Sequence, residues 1–137
     1  MRDKIHYSVK SALENDGWEI KKDPFLIKLK DVTVQVDLEA EKFFEVEKAG
    51  KRILVEIKSL EKTSILYEFY GAYGQYDFYR KWVNDHQSGH VLFMAISSIV
   101  YERIRRINDL MDWIVENKVN LIIVNLEHEI IEQWIQY

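Results

Sequence analysis

The chain has no cysteine, which excludes both a disulfide framework and a thiolate metal site. Any metal must be met by carboxylate, carbonyl or imidazole ligands. No linker, repeat or low-complexity tract divides the sequence, and proline occurs once. No apolar run approaches the ~20 residues that a bilayer-spanning helix needs. The opening Met1-Arg2-Asp3-Lys4 lacks the apolar stretch of a signal peptide. A cytoplasmic protein with no membrane partner is therefore expected. A basic excess is also missing: 19 Lys and Arg against 23 Asp and Glu leave a net charge of −4. That counts against a protein that coats DNA through bulk positive charge. It leaves room for an enzyme whose acidic cluster holds a divalent cation and meets phosphate through that ion.

What is present is a globular composition, 47% hydrophobic and 31% charged, which predicts one domain over residues 1–137. Four Trp, eight Tyr and six Phe are many for this length. They can fill a core, stack bases or build a subunit interface such as a homodimer.

The segment that organises the rest is Val55-Glu56-Ile57-Lys58. Alternation sends Ile53, Val55 and Ile57 to one face of a strand and Leu54, Glu56 and Lys58 to the other. Leu54 shares the charged face, so that face is not simply solvated. A buried carboxylate needs a partner or a metal, because leaving it alone costs several kcal/mol.

Around that strand the pattern predicts an α/β layered fold, a mixed sheet with helices on both faces. A first helix runs from an Asp3 cap to about Asp16, with Ile5, Val9, Ala12 and Leu13 as its apolar stripe and Gly17 as its left-handed stop. Residues 21–24 are a break. Residues 25–30, 32–39 and 42–47 read as extended, and residues 48–51 as a hairpin turn with Gly50 supplying the positive φ. Asp37 and Glu56 thus fall on neighbouring antiparallel segments. Residues 64–84 switch to helical steps, burying Ile65, Phe69, Ala72, Tyr76, Tyr79 and Val83. Gly71 and Gly74 inside that helix imply that something packs close to its backbone. Residues 84–90 are a polar loop in which His86 and His90 are expected in solvent. Residues 91–96 and 119–124 are apolar throughout, as strands buried on both faces are. Between them lie helical segments capped by Ser97-Ser98 and by Asp109. Residues 129–135 read as a short strand or a helix.

Phosphodiester hydrolysis needs a hard cation, a nucleophilic water and fixed geometry. Asp37, Glu56 and the Ile57 carbonyl can supply three oxygens to Mg²⁺ or Mn²⁺. Lys58 then stands beside the metal-bound water or the phosphate. Gln75 and Tyr79 lie four apart and share one face of the following helix. As bland alternatives, Glu56 and Lys58 can be a cross-strand ion pair, and Glu39, Glu41, Glu45 and Glu47 a solvated strand face.

Asp37, Glu56-Ile57-Lys58 and Gln75-x-x-x-Tyr79 resemble the motifs of the PD-(D/E)xK nuclease superfamily, whose restriction-endonuclease-like fold the resemblance implies. The last of these looks like the Gln-x-x-x-Tyr motif of its RecB-type exonuclease branch. His6 stands about where that branch carries a histidine. The proline that often precedes the first-motif Asp is replaced here by Val36. Over nearly the whole chain, residues 6–18, Asp37-Leu38-Glu39-Ala40-Glu41, Val55-Glu56-Ile57-Lys58-Ser59, Gly74-Gln75-Tyr76 and Gln133-Trp134-Ile135 are similar to the XisH family, the cyanobacterial fdxN element excision controlling factors. The resemblance implies a role in excising a DNA element alongside a site-specific recombinase and a small partner protein, XisI. Two function classes follow. One is a Mg²⁺- or Mn²⁺-dependent deoxyribonuclease using Asp37, Glu56, Lys58, Gln75, Tyr79 and His6. The other is a non-catalytic protein that uses the same fold to bind DNA, the recombinase or XisI.

Overall fold

Alternation along the central strand sets the two faces of the sheet, and the helices sort themselves by face. The computed structural model describes residues 2–28, 33–34, 43–62 and 64–137. In chain order the elements are α1 (Arg2–Asn15), β1 (Glu19–Lys22), β2 (Ile27–Lys28), β3 (Thr33–Val34), β4 (Phe43–Lys48), β5 (Lys51–Ile57) and α2 (Ile65–Asp85). They continue with β6 (Val91–Ser97), α3 (Ser98–Arg105), α4 (Asn108–Glu116), β7 (Leu121–Asn125) and β8 (Ile130–Ile135).

Six strands form one mixed sheet in the order β1-β4-β5-β6-β7-β8. The three central strands β5, β6 and β7 run parallel, and the outer pairs are antiparallel. Ile53, Val55 and Ile57 enter one core with Ile5, Val9, Ala12 and Leu13 of α1. Leu54, Leu92, Met94 and Ile96 enter the other with α2, α3 and α4. The expected layering, helices on both faces of a mixed sheet, is the one observed.

Local signals explain most boundaries. Gly17 ends α1 at φ +92°. Its N–H donates to the Glu14 carbonyl and the Trp18 N–H to the Leu13 carbonyl, both at 2.9 Å. That paired closure is how a glycine-terminated helix satisfies its last carbonyls. Ser64 caps α2, its hydroxyl accepting from the Tyr67 N–H at 3.4 Å. The buried residues of α2 are the six that the helical spacing predicts.

Several expectations are corrected. The segment after Trp18 is not a bare connection: Glu19–Lys22 pairs with β4 as an edge strand. Ile27–Lys28 pairs with Thr33–Val34 in a separate two-stranded ribbon and does not lead into the main sheet. The hairpin between β4 and β5 takes two left-handed residues, Ala49 (φ 52°) and Gly50 (φ 80°), not Gly50 alone. Such a two-residue turn matches the twist of the flanking strands. The N-cap position of α4 is Ile107, and Asp109 sits inside its first turn. The C-terminal segment is a strand, β8, paired antiparallel with β7.

Candidate functional site

Glu56 and Lys58 lie at the carboxyl end of β5, where the chain leaves the sheet. The Lys58 N–H still donates to the Ala95 carbonyl of β6 at 3.0 Å, so the lysine is held at the last rung. Beyond it Leu60 takes a left-handed backbone, φ 51°, while its side chain is buried. That conformation costs a non-glycine residue roughly 1–2 kcal/mol, so the packing of Leu60 holds the turn away from the sheet.

Glu56 is 3% exposed, flanked in register by Phe43 of β4 and Met94 of β6. Its Oε1 stands 3.2 Å from the Lys58 ammonium. The same ammonium donates to Oε1 of Gln75 on α2. The expected alternation is therefore met: the pair lies with Leu54 on the face that α2, α3 and α4 cover, and α2 reaches down to it. Tyr79, one turn beyond Gln75, is 7% exposed and buried in the core between the sheet and α2, α3 and α4. Tyr76, between them, is fully buried, donates to the Leu92 carbonyl at 3.3 Å and accepts from the Asn120 N–H at 3.0 Å. Burial pushes its phenol above the ordinary value, against the lowering effect of the Asn120 N–H, and the Glu56 carboxylate adds to the rise.

A cleft of about 250 Å³ opens beside Lys58 and Gln75. Ser59, Leu60, Lys62, Glu68, Gly71 and Ala72 complete its lining. The Lys62 N–H donates to Glu68 at 2.8 Å, which orders the loop over the start of α2. Sequence reasoning missed Lys62 and Glu68. Their meeting depends on the Leu60 turn, for which no spacing rule exists.

The other predicted residues are distributed as follows. Ile57 is fully buried between Glu56 and Lys58, its side chain in the α1-side core. Asp37 falls outside the described residues. His6 sits on α1, its ring edge-on to Phe44 at 5.8 Å, and its Nε2 is 3.1 Å from Asp23. Lys10 donates to the same Asp23 oxygen at 2.6 Å. Phe44 belongs to the α1-side core, so His6 packs against the sheet face opposite to that of Glu56. Among the described residues, no three His, Cys, Asp or Glu cluster as a metal site.

Two expectations away from this cleft change. His90 is not in solvent: its Nε2 meets the buried Glu45 carboxylate and its Nδ1 lies 2.9 Å from the Ser88 hydroxyl. Glu45 accordingly departs from a solvated acidic face. Nor does anything among the described residues approach Gly71 or Gly74; a Cβ at either would meet open space.

These features define an α/β domain whose central strand ends in a buried Glu-x-Lys, an architecture compatible with the restriction-endonuclease-like arrangement. The chain belongs to the XisH family, whose model, described as XisH protein, matches residues 1–132. It is 32% identical to an fdxN element excision controlling factor protein from Anabaena variabilis of known crystal structure. That match covers 98% of this chain and 99% of the other, with a TM-score of 0.88. It is 36% identical to an XisH family protein from Nostoc punctiforme, over 98% of this chain and 100% of the other, with a TM-score of 0.87. No functionally curated protein matches the chain.

Proposed function

We propose that this chain acts in the programmed excision of a DNA element as a divalent-metal-dependent deoxyribonuclease. The observation that carries the reading is the Glu56–Lys58–Gln75 constellation, a buried carboxylate and a lysine fixed from two elements beside an open cleft. A buried carboxylate at a strand end suits a hard cation, and Glu56 would hold Mg²⁺ or Mn²⁺ together with Asp37 and the Ile57 carbonyl. The ion supplies charge neutralisation and a water that is nucleophilic near neutral pH. Gln75 holds the Lys58 ammonium by its amide oxygen, so that the charge is aimed before phosphate arrives. Lys62 adds a second cation at the mouth of the cleft. Tyr79 packs behind Gln75 and fixes the helix that carries it. His6 acts through Asp23 and Lys10, steadying α1 and not the phosphate.

The test is cleavage of a panel of linear, branched and single-stranded DNAs with Mg²⁺ or Mn²⁺. The wild type is expected to cleave at least one, and Lys58→Ala to abolish cleavage while its circular dichroism stays native. Glu56→Ala is expected to weaken Mn²⁺ binding in calorimetry, and unchanged affinity removes Glu56 from the ligand set. No metal-dependent cleavage across the panel sinks the enzyme.

A second reading is favoured by the outer face of α2. Tyr67, Tyr70 and Phe78 are exposed there, 78%, 51% and 44%, in a chain of net charge −4. Exposed aromatics of this kind suit a protein partner. On this reading the chain is a non-catalytic accessory that holds the excision recombinase, an XisI-like protein or a second copy.

A further inference from the structure

At the opposite end of β5 from Lys58 lies a larger cavity, about 700 Å³, in the size range of small-ligand sites. Its apolar side is Trp18, Phe93 and Trp134. Its polar side carries Lys48, Lys51 and Arg52 from the β4–β5 hairpin, against a single carboxylate among the described residues, Asp16. In a chain of net charge −4, three cations around one cavity are a local inversion of sign.

The three cations are not equivalent. Lys48 is committed: it donates to the Asp16 carbonyl and stands 3.7 Å from the Asp16 carboxylate. Lys51 and Arg52 are exposed and have no ion pair or side-chain hydrogen bond with any described residue. Arg52 lies over the loop before β6, its Nη2 close to Gly89 at 3.6 Å from where a Cβ would be. Gly89 holds φ +80°, so its backbone disfavours a side chain, while the guanidinium lies at ordinary contact distance from it. The aromatic side is equally built. Trp134 meets Phe93 edge-on at 5.2 Å and Trp18 at 5.5 Å with a 35° tilt. Trp18 Nε1 donates to Asp16 at 3.2 Å, which turns that indole and the carboxylate toward each other.

We propose that this cavity binds a nucleoside phosphate, either free or as the phosphorylated end of a single strand. The base lies against the Trp18–Trp134 wall, and the phosphate is held by Lys51 from the same face of β5, with Arg52 reaching round the end of the strand beside Gly89. Indoles offer stacking that tolerates any base. A guanidinium matches phosphate oxygens in a fork, and the neighbouring ammonium adds charge. The cavity is separate from the Glu56–Lys58 cleft: Lys51 and Lys58 are seven residues apart along an extended strand, about 23 Å.

The experiment is tryptophan-fluorescence and calorimetric titration of the full chain at low salt with EDTA present, so that the outcome does not depend on divalent metal. The probes are dAMP, deoxyadenosine, tripolyphosphate, dTMP and 5′-phosphorylated tetrathymidylate. Saturable quenching by dAMP is expected, with deoxyadenosine at least about tenfold weaker because the phosphate contacts are lost. Lys51→Ala/Arg52→Ala is expected to weaken dAMP by a similar factor and retain the native melting curve, since both residues are exposed. Trp134→Phe keeps the wall apolar and is expected to bind with a smaller quench. Tetrathymidylate tighter than dTMP assigns the end of a strand; equal binding assigns a free nucleotide. No saturation by any nucleotide overturns the proposal. So does tripolyphosphate binding as tightly as dAMP with the fluorescence unmoved, which leaves a bare cationic patch.

Discussion

Glu56 is a carboxylate almost wholly out of water, and Lys58 pairs with it at 3.2 Å. Removing one member of such a pair strands the other, whereas removing both charges does not. Lys58→Met is therefore expected to cost about 3 kcal/mol in urea denaturation, and Glu56→Gln/Lys58→Met to recover most of that loss. Additive losses would show that the two charges do not depend on each other. Tyr76 gives a second residue-scale prediction. Burial holds its phenol neutral to higher pH than the 10.0 of an exposed tyrosine. The unfolded chain gives up that proton first, so the stabilisation is complete below pH 10.0 and is lost as pH climbs through the raised value. Tyr76→Phe should flatten the alkaline limb of the melting-temperature profile, leaving the slope of Tyr137, which partial burial raises likewise. An unchanged limb would assign the alkaline loss to other groups. Glu56 and Lys58 were legible because period-two alternation ties them to Leu54 within one strand. The Glu45–His90 pair was not, because it joins residues 45 apart that no local period relates.

At the scale of elements, α2 shows what periodicity can and cannot carry. Its six buried positions follow from spacing, since one face packs on the sheet. Its two glycines do not follow: their spacing implies a close neighbour, and a Cβ at either meets none among the described residues. An interior helical glycine without a contact only loses backbone entropy. Gly71→Ala and Gly74→Ala should each stabilise the domain by about 0.5–1 kcal/mol, read as a rise in thermal midpoint. A fall would mean that the bare backbone is packed in solution. Because Gly71 lines the Lys58 cleft, its alanine variant also reports whether bound DNA needs that space. Edge strands were hardest to read. β1 has a single half-buried side chain, Ile20, and β8 alternates only weakly, so neither shows a full period of two. Their strand character comes from the open edges of β4 and β7, which they cover.

Over the whole molecule, the layering was readable because strands and helices alternate along the chain, while the strand order was not. Parallel β5, β6 and β7 can be arranged in more than one sequence, and crossing helices select among them. Nor does the sequence reveal that the two ends of the chain meet. Trp18, just past α1, lies tilted against Trp134 of β8, and the Asn15 amide donates to the Glu129 carbonyl at 3.1 Å. This contact ties the first helix to the last strand, so it closes the sheet at the edge that β8 alone would leave weakly held. Trp134 is half-buried, so Trp134→Ala should cost about 2–3 kcal/mol, below the range for a fully buried tryptophan. The loss should be uneven. In hydrogen exchange, amides of β8 and the end of α1 should open well before those of β5 and β6, which keep their cores on both faces. Uniform loss of protection would mean that the two tryptophans are part of one indivisible core and not a clasp between the chain's ends.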